Sequence, residues 1–466
     1  MSAADQYQAI VIGSGQGGNP LCAALAGAGM RTALIERKHV GGTCINEGCT
    51  PTKTMIASAR VAYLARRGAD YGVRTGEVSI DMERVRQRKR DIVNSFRTGT
   101  ESRLEKMPNL ELIFGEASFA GPKSVLVKLA SGGQRVLTAE KIFINAGARP
   151  SAPPIEGLAG VPYLDSTSIM ELAVVPEHLI VIGGGYVGLE FGQMFRRFGS
   201  RVTVVQFLDH LLRDEDPDVA AEIAAILAQD GVEILLNTRA ERVALAAGQK
   251  TNQIQLTVRS GNESRVIAGS HLLLATGRTP NTDSLNVSAA GIAIDRHGFI
   301  QVNAKLETSA AGIFALGDIK GGPAFTHISY DDFRILRINL IENGSASTAG
   351  RMVPYTLFID PQLGRVGLTE TEARAQNKKI RVAKMPMSYV ARALETAESR
   401  GFMKAVVDAD SGQILGAAVL GAEGGEIMSM LELAMMGKLP YTALRDAVFA
   451  HPTLAESLNN LFQHFE

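Results

Sequence analysis

The fold is decided by residues 9–18, which read AIVIGSGQGG. Four apolar residues typical of a buried strand run into a glycine-rich turn, an alanine-rich helix follows, and a second apolar strand ends at Glu36. In this strand–turn–helix unit one glycine makes the turn, one lets the backbone approach a pyrophosphate, and one lets the helix pack on the strand. We therefore predict a dinucleotide site for FAD or NAD, built on Gly13, Gly15, Gly18 and the ribose-binding carboxylate of Glu36.

The same unit occurs again at residues 179–188, which read LIVIGGGYVG. Gly183 lies 170 positions after Gly13, and the other key residues of the second copy keep this offset. A single glycine pattern is a weak signal, but two in register, each between a predicted strand and a predicted helix, are a strong one. The second copy predicts a second dinucleotide site on Gly183, Gly185, Gly188 and Gln206.

Two of the three cysteines, Cys44 and Cys49, follow the first glycine loop within residues 41–53, which read GGTCINEGCTPTK. A disulfide across so short a loop removes little entropy from the unfolded chain, so it stabilises weakly but opens easily. We interpret the pair as a redox couple rather than a structural link. The third cysteine, Cys22, lies on the predicted alanine-rich helix and is expected to serve packing.

Composition excludes several classes of protein. Apolar residues make up 45%, charged residues make up 21%, and basic and acidic residues balance, so a globular fold without a nucleic-acid partner is expected. The basic run at 84–90 is interpreted as a solvated helix face. Apolar stretches are interrupted before the roughly 20 residues that a membrane span needs. Three cysteines and no signal-like N-terminal segment favour a reducing, cytoplasmic location.

No metal site is predicted from the sequence. The methionine-rich segment 428–436 has helical spacing among leucine and alanine, which favours core or dimer interface over a copper site.

Taken together, the motifs resemble those of the flavin-dependent pyridine nucleotide-disulfide oxidoreductases, which include dihydrolipoamide dehydrogenase, glutathione reductase and mercuric reductase. The resemblance rests on both glycine loops, the cysteine run, IFALGD at 313–318 and HPTLAE at 451–456. Residues 390–404 and 325–329 look most like mercuric-reductase-like and reactive-chlorine-induced copper-reductase-like members.

The resemblance implies an α/β fold with two Rossmann-type dinucleotide-binding domains and a C-terminal α+β dimerisation domain. It places an FAD-binding domain at 1–149 and 277–345, an NAD(P)-binding domain at 150–276 and the dimerisation domain at 346–466. It also implies a homodimer whose active site is shared between subunits and a small-molecule disulfide or metal ion as substrate.

FAD and NADH or NADPH are the implied cofactors. FAD would be held by the first glycine loop with Glu36, Lys53, Gly317 and Asp318. NAD(P)H would be held by the second loop with Gln206 and Gly277. Because Gln206 is neither the acidic residue typical of NAD sites nor an arginine suited to a 2′-phosphate, the sequence leans only slightly towards NADH.

The resemblance also implies the catalytic roles of the cysteines and their neighbours. Cys49, at a predicted helix start marked by Pro51, would be the thiol next to the flavin, and Cys44 would be the interchange thiol that meets substrate. Lys53 and Glu190 would pair beside the flavin.

Three further roles follow from the same resemblance. His451 would be the acid–base for the interchange thiol, oriented by Glu456, with His327 as the second candidate. Tyr186 would cover the flavin until nicotinamide displaces it.

The acceptor stays open between lipoamide, another low-molecular-weight disulfide, Hg(II) and Cu(II). Mercuric reductases carry a C-terminal cysteine pair and often an N-terminal metal-binding domain. Residues 1–466 show neither pattern and keep His-Pro-Thr, so high-capacity mercury detoxification is not expected. A flavin-bound redox-switch subunit is the non-enzyme alternative. The presence of Lys53, Glu190, His451 and Glu456 favours an enzyme.

Overall fold

A computed structural model describes residues 5–246 and 253–466. Residues 1–4 of the predicted FAD-binding domain and 247–252 of the predicted NAD(P)-binding domain lie outside the described residues. The strands are β1 (Asp5–Ile12), β2 (Thr32–Glu36), β3 (Leu110–Gly121), β4 (Ser124–Leu129), β5 (Gln134–Ile144), β6 (Ala148–Pro150), β7 (His178–Ile182), β8 (Arg201–Val205), β9 (Val232–Leu235), β10 (Thr238–Leu245), β11 (Ile254–Ser260), β12 (Glu263–Gly269), β13 (His271–Leu274), β14 (Arg278–Pro280), β15 (Ile313–Ala315), β16 (Tyr355–Leu357), β17 (Gln362–Gly367), β18 (Ile380–Pro386), β19 (Phe402–Asp408) and β20 (Ile414–Gly421).

The helices are α1 (Gly18–Gly27), α2 (Gly42–Asn46), α3 (Cys49–Arg66), α4 (Met82–Glu105), α5 (Tyr186–Phe198), α6 (Pro217–Gln229), α7 (Thr326–Leu340), α8 (Glu370–Ala375), α9 (Ala391–Glu395), α10 (Gly424–Met436), α11 (Tyr441–Arg445) and α12 (Ser457–Leu461). Among the described residues, every helix is too short or too polar to span a bilayer.

The chain divides into two compact units. The first comprises the residues up to Thr54, Glu83–Ser151 and Gly277–Arg351, and the second comprises Met55–Met82, Ala152–Thr276 and Met352–Glu466. The predicted three-domain division stays a prediction.

The first unit is built on a sheet with a parallel core. Strand β1 lies between β2 and β5, with Ile10 opposite Ala33 on one side and Ile142 on the other, and β15 runs parallel beside β5. Residues 9–12 are buried because α1 and α7 cover one face while a second apolar cluster fills the other. The carboxyl ends of β1, β5 and β15 therefore meet at one edge of the sheet, where the first glycine loop begins.

The second unit contains a parallel sheet, β13-β7-β8-β9, and an antiparallel sheet, β16-β17-β20-β19-β18. In the parallel sheet Ile180 lies opposite Thr203 and Leu272, and the second glycine loop follows β7 as the first follows β1. Helices α10 and α12 pack on the antiparallel sheet through an apolar cluster that includes Met428, Leu431 and Leu458. These elements confirm the predicted α/β fold class.

The basic run at 84–90 lies on α4, as predicted, but it is not uniformly solvated. Arg84 and Arg90 are exposed, whereas Lys89 is only 3% exposed. Lys89 follows Met82 by seven positions and precedes Val93 by four, so it falls on the same buried stripe as these two residues. The interpretation of a wholly solvated face was therefore wrong at this one position.

Candidate active site

The first glycine loop leaves no room for side chains at its turn and at the start of α1. Gly13 has φ +96°, and a Cβ there would lie 2.4 Å from the Asn145 carbonyl oxygen. A Cβ on Gly18 would lie 2.1 Å from the Gly13 carbonyl oxygen, so the start of α1 packs directly on the turn. Together these contacts hold the first-turn amides of α1 against the loop, as a pyrophosphate site requires.

The second glycine loop repeats this geometry. Gly183 has φ +112°, and a Cβ there would lie 2.3 Å from the Ala275 carbonyl oxygen. A Cβ on Gly188 would lie 2.0 Å from the Gly183 carbonyl oxygen. The 170-residue offset seen in the sequence is thus a structural repeat. Gly185 differs, because a Cβ there would meet no atom within 4 Å, whereas one on Gly15 would lie 2.7 Å from Asn145 Oδ1.

The two glycine motifs also correspond at their last residues, Glu36 and Gln206, because each side chain hydrogen-bonds to its own glycine loop. The Glu36 carboxylate accepts hydrogen bonds from the Ser14 amide at 3.1 Å and the Ser14 hydroxyl at 2.6 Å. Gln206 Oε1 accepts from the Gly184 amide at 3.2 Å. Each side chain therefore lies against its own glycine loop, where the ribose of a bound dinucleotide is expected.

Asn145 joins the first loop to the neighbouring strands, a role that sequence reasoning missed. Its Oδ1 accepts from the Gly18 amide at 2.9 Å, and its Nδ2 donates to the Leu316 carbonyl at 2.9 Å. The signal was available, because Asn145 directly follows a buried strand next to β1, at the edge where α/β sheets bind ligands.

Gly317 and Asp318 lie at the same edge, directly after β15 and Leu316. Gly317 donates its amide to Asp332, which is fully buried and also pairs with Lys320 and Arg351. Burial raises the pKa of the Asp318 carboxyl, and the positive charges of Arg278 and Lys320 oppose that rise.

Gly277 lies where the chain re-enters the first unit. It has φ +118°, and its carbonyl accepts the Ser151 amide at 3.0 Å. The segment after it pairs with β6 through β14. The predicted role of Gly277 in NAD(P) binding stays a prediction.

The two loop cysteines lie together. Cys44 is on the short helix α2 and Cys49 is the first residue of α3, as the proline at position 51 predicted. The Cys44 thiol hydrogen-bonds to Cys49, and this bond, followed by burial, raises the pKa of Cys44. Thr326, the first residue of α7, places its hydroxyl 3.4 Å from Cys49 Sγ and was not predicted from the sequence.

Cys22 lies apart from this pair. It is fully buried on α1 and donates to the Asn19 carbonyl at 3.0 Å, and burial raises its pKa to about 12. It packs, as predicted.

The structure places three further predicted site residues on helices: Lys53, Glu190 and Tyr186. Lys53 lies on α3 one helical turn after Cys49 and is half-buried. Glu190 is 6% exposed on α5, and its carboxylate accepts from the Phe358 amide at 2.9 Å. Tyr186 is the first residue of α5, and its ring packs edge-on against Tyr355 with 5.3 Å between centroids. Pairing of Lys53 with Glu190 stays a prediction.

The predicted acid–base pair is assembled. His451 Nδ1 lies 2.8 Å from Glu456 Oε2 and 3.1 Å from Oε1, and the imidazole is 68% exposed. A carboxylate on Nδ1 fixes the tautomer and leaves Nε2 to face solvent or a partner. The second candidate, His327, lies on α7 and stacks on Phe325, the residue just before that helix.

Within residues 5–246 and 253–466, no three side chains of His, Cys, Asp or Glu lie close enough together to hold a metal ion.

Comparison with known proteins decides the family. Residues 7–332 match the family model described as pyridine nucleotide-disulphide oxidoreductase, and residues 353–462 match the dimerisation domain of that family. The chain belongs to this family. The dimerisation domain supports a homodimer.

Relatives cover nearly the whole chain. The probable pyridine nucleotide-disulfide oxidoreductase RclA of Escherichia coli strain K12 is 41% identical over 462 residues, which are 98% of this chain and 99% of the relative. Mercuric reductase of Bacillus cereus is 34% identical over 97% of this chain and 70% of its own length. The structure described as the Cu(II) complex of the HOCl-induced flavoprotein disulfide reductase RclA superposes with a TM-score of 0.89 at 40% identity, covering 98% of this chain and 99% of that one.

These comparisons confirm the predicted family, enzyme class and cofactors. The chain is an FAD-dependent NAD(P)H oxidoreductase with a redox disulfide. Its own residues fit both cofactors, because in each glycine loop a Cβ on the first or last glycine of the motif would meet a backbone oxygen, and a polar side chain, Glu36 or Gln206, hydrogen-bonds to the loop.

Proposed function

We propose that this enzyme uses NAD(P)H to reduce a small-molecule disulfide through the Cys44–Cys49 couple, with His451 as the acid. The observation that carries the proposal is the hydrogen-bonded pair of thiols at the start of α3. When bound, FAD supplies the chemistry that links a two-electron hydride donor to a sulfur couple. We also propose a cytoplasmic location, since such a couple needs a supply of reduced pyridine nucleotide.

The two thiols have different environments, which supports different roles. The hydrogen bond to Cys49, followed by burial, raises the pKa of the Cys44 thiol, which favours its protonated form. A thiolate on Cys49 faces the amides that begin α3 and the Thr326 hydroxyl at the start of α7. Helix N-termini stabilise thiolates. Cys49 is therefore the flavin-side thiol, and Cys44 is the interchange thiol that needs a base before it can attack.

His451 supplies that base and later the acid. Its Nε2 is available because Nδ1 is engaged with Glu456. The imidazole is 68% exposed in the single chain and lies close to the end of the dimerisation domain, which spans residues 353–462. We place it at the Cys44 of the partner subunit in the homodimer, so that one subunit alone lacks a complete site.

The reaction with a disulfide then balances. Cys44 Sγ, deprotonated by His451, attacks one substrate sulfur, so that a Cys44–substrate disulfide forms and the substrate S–S bond breaks. The departing thiolate takes the proton from His451. Cys49 then attacks Cys44 Sγ, which restores the Cys44–Cys49 bond and releases the second substrate thiolate. The two electrons come from NAD(P)H, which opened the Cys44–Cys49 bond beforehand.

The remaining residues bind and orient the cofactors. Gly13, Gly15, Gly18, Glu36, Gly317 and Asp318 hold FAD, and Gly183, Gly185, Gly188, Gln206 and Gly277 hold NAD(P)H. Lys53 and Glu190 form an ion pair that orients the flavin ring. Tyr186 would cover the flavin until nicotinamide displaces it.

A thiophilic metal ion is the second candidate acceptor. A relative of the same length is described in complex with Cu(II), and other relatives are mercuric reductases. Cys44 and Cys49 are suitable soft ligands, and the described residues supply no third ligand in one chain. Cu(II) or Hg(II) would therefore be held transiently as a substrate.

Steady-state turnover of the homodimer decides between these acceptors. Glutathione disulfide, lipoamide, Cu(II) and Hg(II) should each be offered with NADH and with NADPH, to the wild type and to Cys44→Ser, Cys49→Ser and His451→Ala. Either cysteine variant should abolish turnover of every acceptor. His451→Ala should slow disulfide reduction more than metal reduction, because a disulfide loses both the base for Cys44 and the acid for the departing thiolate, whereas a metal ion loses only the base. Cys22→Ala is the matched control. Full turnover of every acceptor in Cys49→Ser would contradict the proposal.

A further inference from the structure

Tyr186 rests on a second aromatic residue within its own unit. Its ring lies edge-on to the ring of Tyr355, with 5.3 Å between centroids and 68° between planes. Tyr355 begins β16, the edge strand of the antiparallel sheet, while Tyr186 begins α5. An edge-to-face aromatic contact of this kind is attractive beyond the area it buries. Tyr355 therefore helps to orient Tyr186.

Tyr355 is held by a buried carboxyl group. Its hydroxyl donates to Glu215 Oε1, and the Glu215 side chain is only 1% exposed. The other oxygen, Oε2, is 3.5 Å from Arg365 Nε on β17, outside good hydrogen-bond geometry. Within the described residues, neither Glu215 Oε2 nor Arg365 Nη2 has a hydrogen-bond partner. The arginine thus compensates the buried charge only in part.

We propose that Glu215 and Tyr355 are positioning residues for Tyr186, and that ionisation of Glu215 makes the affinity for NAD(P)H depend on pH. The inference rests on the proposed role of Tyr186 as the cover of the flavin that nicotinamide displaces. A carboxylate accepts a stronger hydrogen bond from a phenol than a neutral carboxyl group does. Ionised Glu215 therefore fixes Tyr355, Tyr355 holds Tyr186, and the coenzyme displaces Tyr186 less readily.

The charges around Glu215 set the pH range of this effect. The pKa of Glu215 is raised from 4.5 to about 7, and burial is the largest cause. The positive charge of Arg365 lowers this pKa, whereas the negative charges of Asp216, Asp214 and Glu372 raise it further. Tyr186 on α5 and Tyr355 on β16 also face Glu215, and the pKa of Tyr186 is itself raised, first by burial and then by Glu215. Because the folded-state pKa is raised, Glu215 is neutral below this range and becomes charged as the pH rises through about 7.

Rapid mixing of the holoenzyme with NADH or NADPH, whichever reduces it faster, tests the inference. The dissociation constant of the coenzyme is read from the concentration dependence of flavin reduction between pH 6 and pH 8.5. We expect it to rise about fivefold in the wild type, since the apparent affinity falls with the fraction of enzyme in the open state. In Tyr355→Phe and Glu215→Gln, the dissociation constant of the coenzyme should keep its low-pH value over the whole pH range.

Tyr7→Phe is the matched control, because Tyr7 makes the same phenol–carboxylate bond to Glu111 in the other unit. It should keep the wild-type pH profile. If Tyr186→Ala removes the pH dependence while Tyr355→Phe and Glu215→Gln retain it, the inference is overturned and the role of Tyr186 stands. If Tyr186→Ala leaves both the constant and its pH dependence unchanged, the proposed cover itself fails, and the inference fails with it.

Discussion

The Gln206 side-chain amide donates to the His210 carbonyl at 3.1 Å while its oxygen accepts from Gly184. A glutamate at this position would keep the second bond, lose the first and place a negative charge at the ribose site. Gln206→Glu should therefore lower kcat/KM for NADPH relative to NADH by roughly tenfold or more, because like charges repel the 2′-phosphate. Steady-state kinetics with both coenzymes measure this. Gln229→Glu, exposed on α6, controls for net charge. An unchanged coenzyme ratio in Gln206→Glu would show that this residue does not face the ribose.

The tight contacts of the glycine loops predict which cofactor each substitution removes. In Gly18→Ala the new methyl meets a backbone oxygen at 2.1 Å, and in Gly188→Ala it meets one at 2.0 Å. Gly18→Ala should be purified without flavin, whereas Gly188→Ala should keep its flavin and lose reduction by NAD(P)H. Flavin absorbance and anaerobic reduction distinguish the two outcomes.

The control for these variants is Gly99→Ala, on α4, where an added methyl meets no atom within 4 Å. It should be neutral or stabilise by about 0.5–1 kcal/mol, since alanine favours a helix interior over glycine. Flavin retained at full occupancy in Gly18→Ala would argue against the assignment of the first loop to FAD.

Loss of the Asn145 side chain should weaken the first unit. Asn145→Ala leaves the Gly18 amide and the Leu316 carbonyl without their partners in a buried site, which costs on the order of 1–3 kcal/mol for each group. Chemical unfolding and the dissociation of FAD on dilution should both shift. Asn94→Ala, exposed on α4, should change neither. Equal stability of Asn145→Ala and the wild type would mean that the loop is held by other contacts.

The His451–Glu456 pair should matter only when substrate is reduced. His451→Ala should slow disulfide turnover by roughly 10²–10⁴, the usual contribution of a general acid–base, and leave reduction of the flavin by NAD(P)H unchanged. Glu456→Gln, which keeps the size of the side chain, should show a smaller loss of the same kind, because the imidazole loses its orienting charge. Slowing of both half-reactions would place the histidine in a structural role.

The sequence predicted the features that are local in the chain. Both glycine loops, the helix start at Cys49 and the polar residues Glu36 and Gln206 were found because strand, turn and helix follow one another within about 30 residues, the size of such a unit. The burial of Lys89 was missed, since a single position on a helical stripe is hard to recognise in a run of arginines.

Contacts between distant segments could not be predicted in the same way. Asn145 reaches Gly18 across 127 positions, Thr326 reaches Cys49 across 277, and Tyr355 reaches Glu215 across 140. Each of these contacts depends on which elements become neighbours in the fold. The position of Asn145 after a buried strand indicates the ligand-binding edge of the sheet, but none of these three residues carries a local signal of its distant partner.

The absorption spectrum of purified Cys variants tests the central claim most directly. If Cys49 is the thiol beside the flavin, Cys44→Ser should show a long-wavelength band from the Cys49 thiolate before any reductant is added. The wild type should show that band only after anaerobic addition of one equivalent of NADH or NADPH, and Cys22→Ala should match the wild type. Cys49→Ser should show it under neither condition. A band that persists in Cys49→Ser, or its absence from both Cys44→Ser and the reduced wild type, would contradict the account.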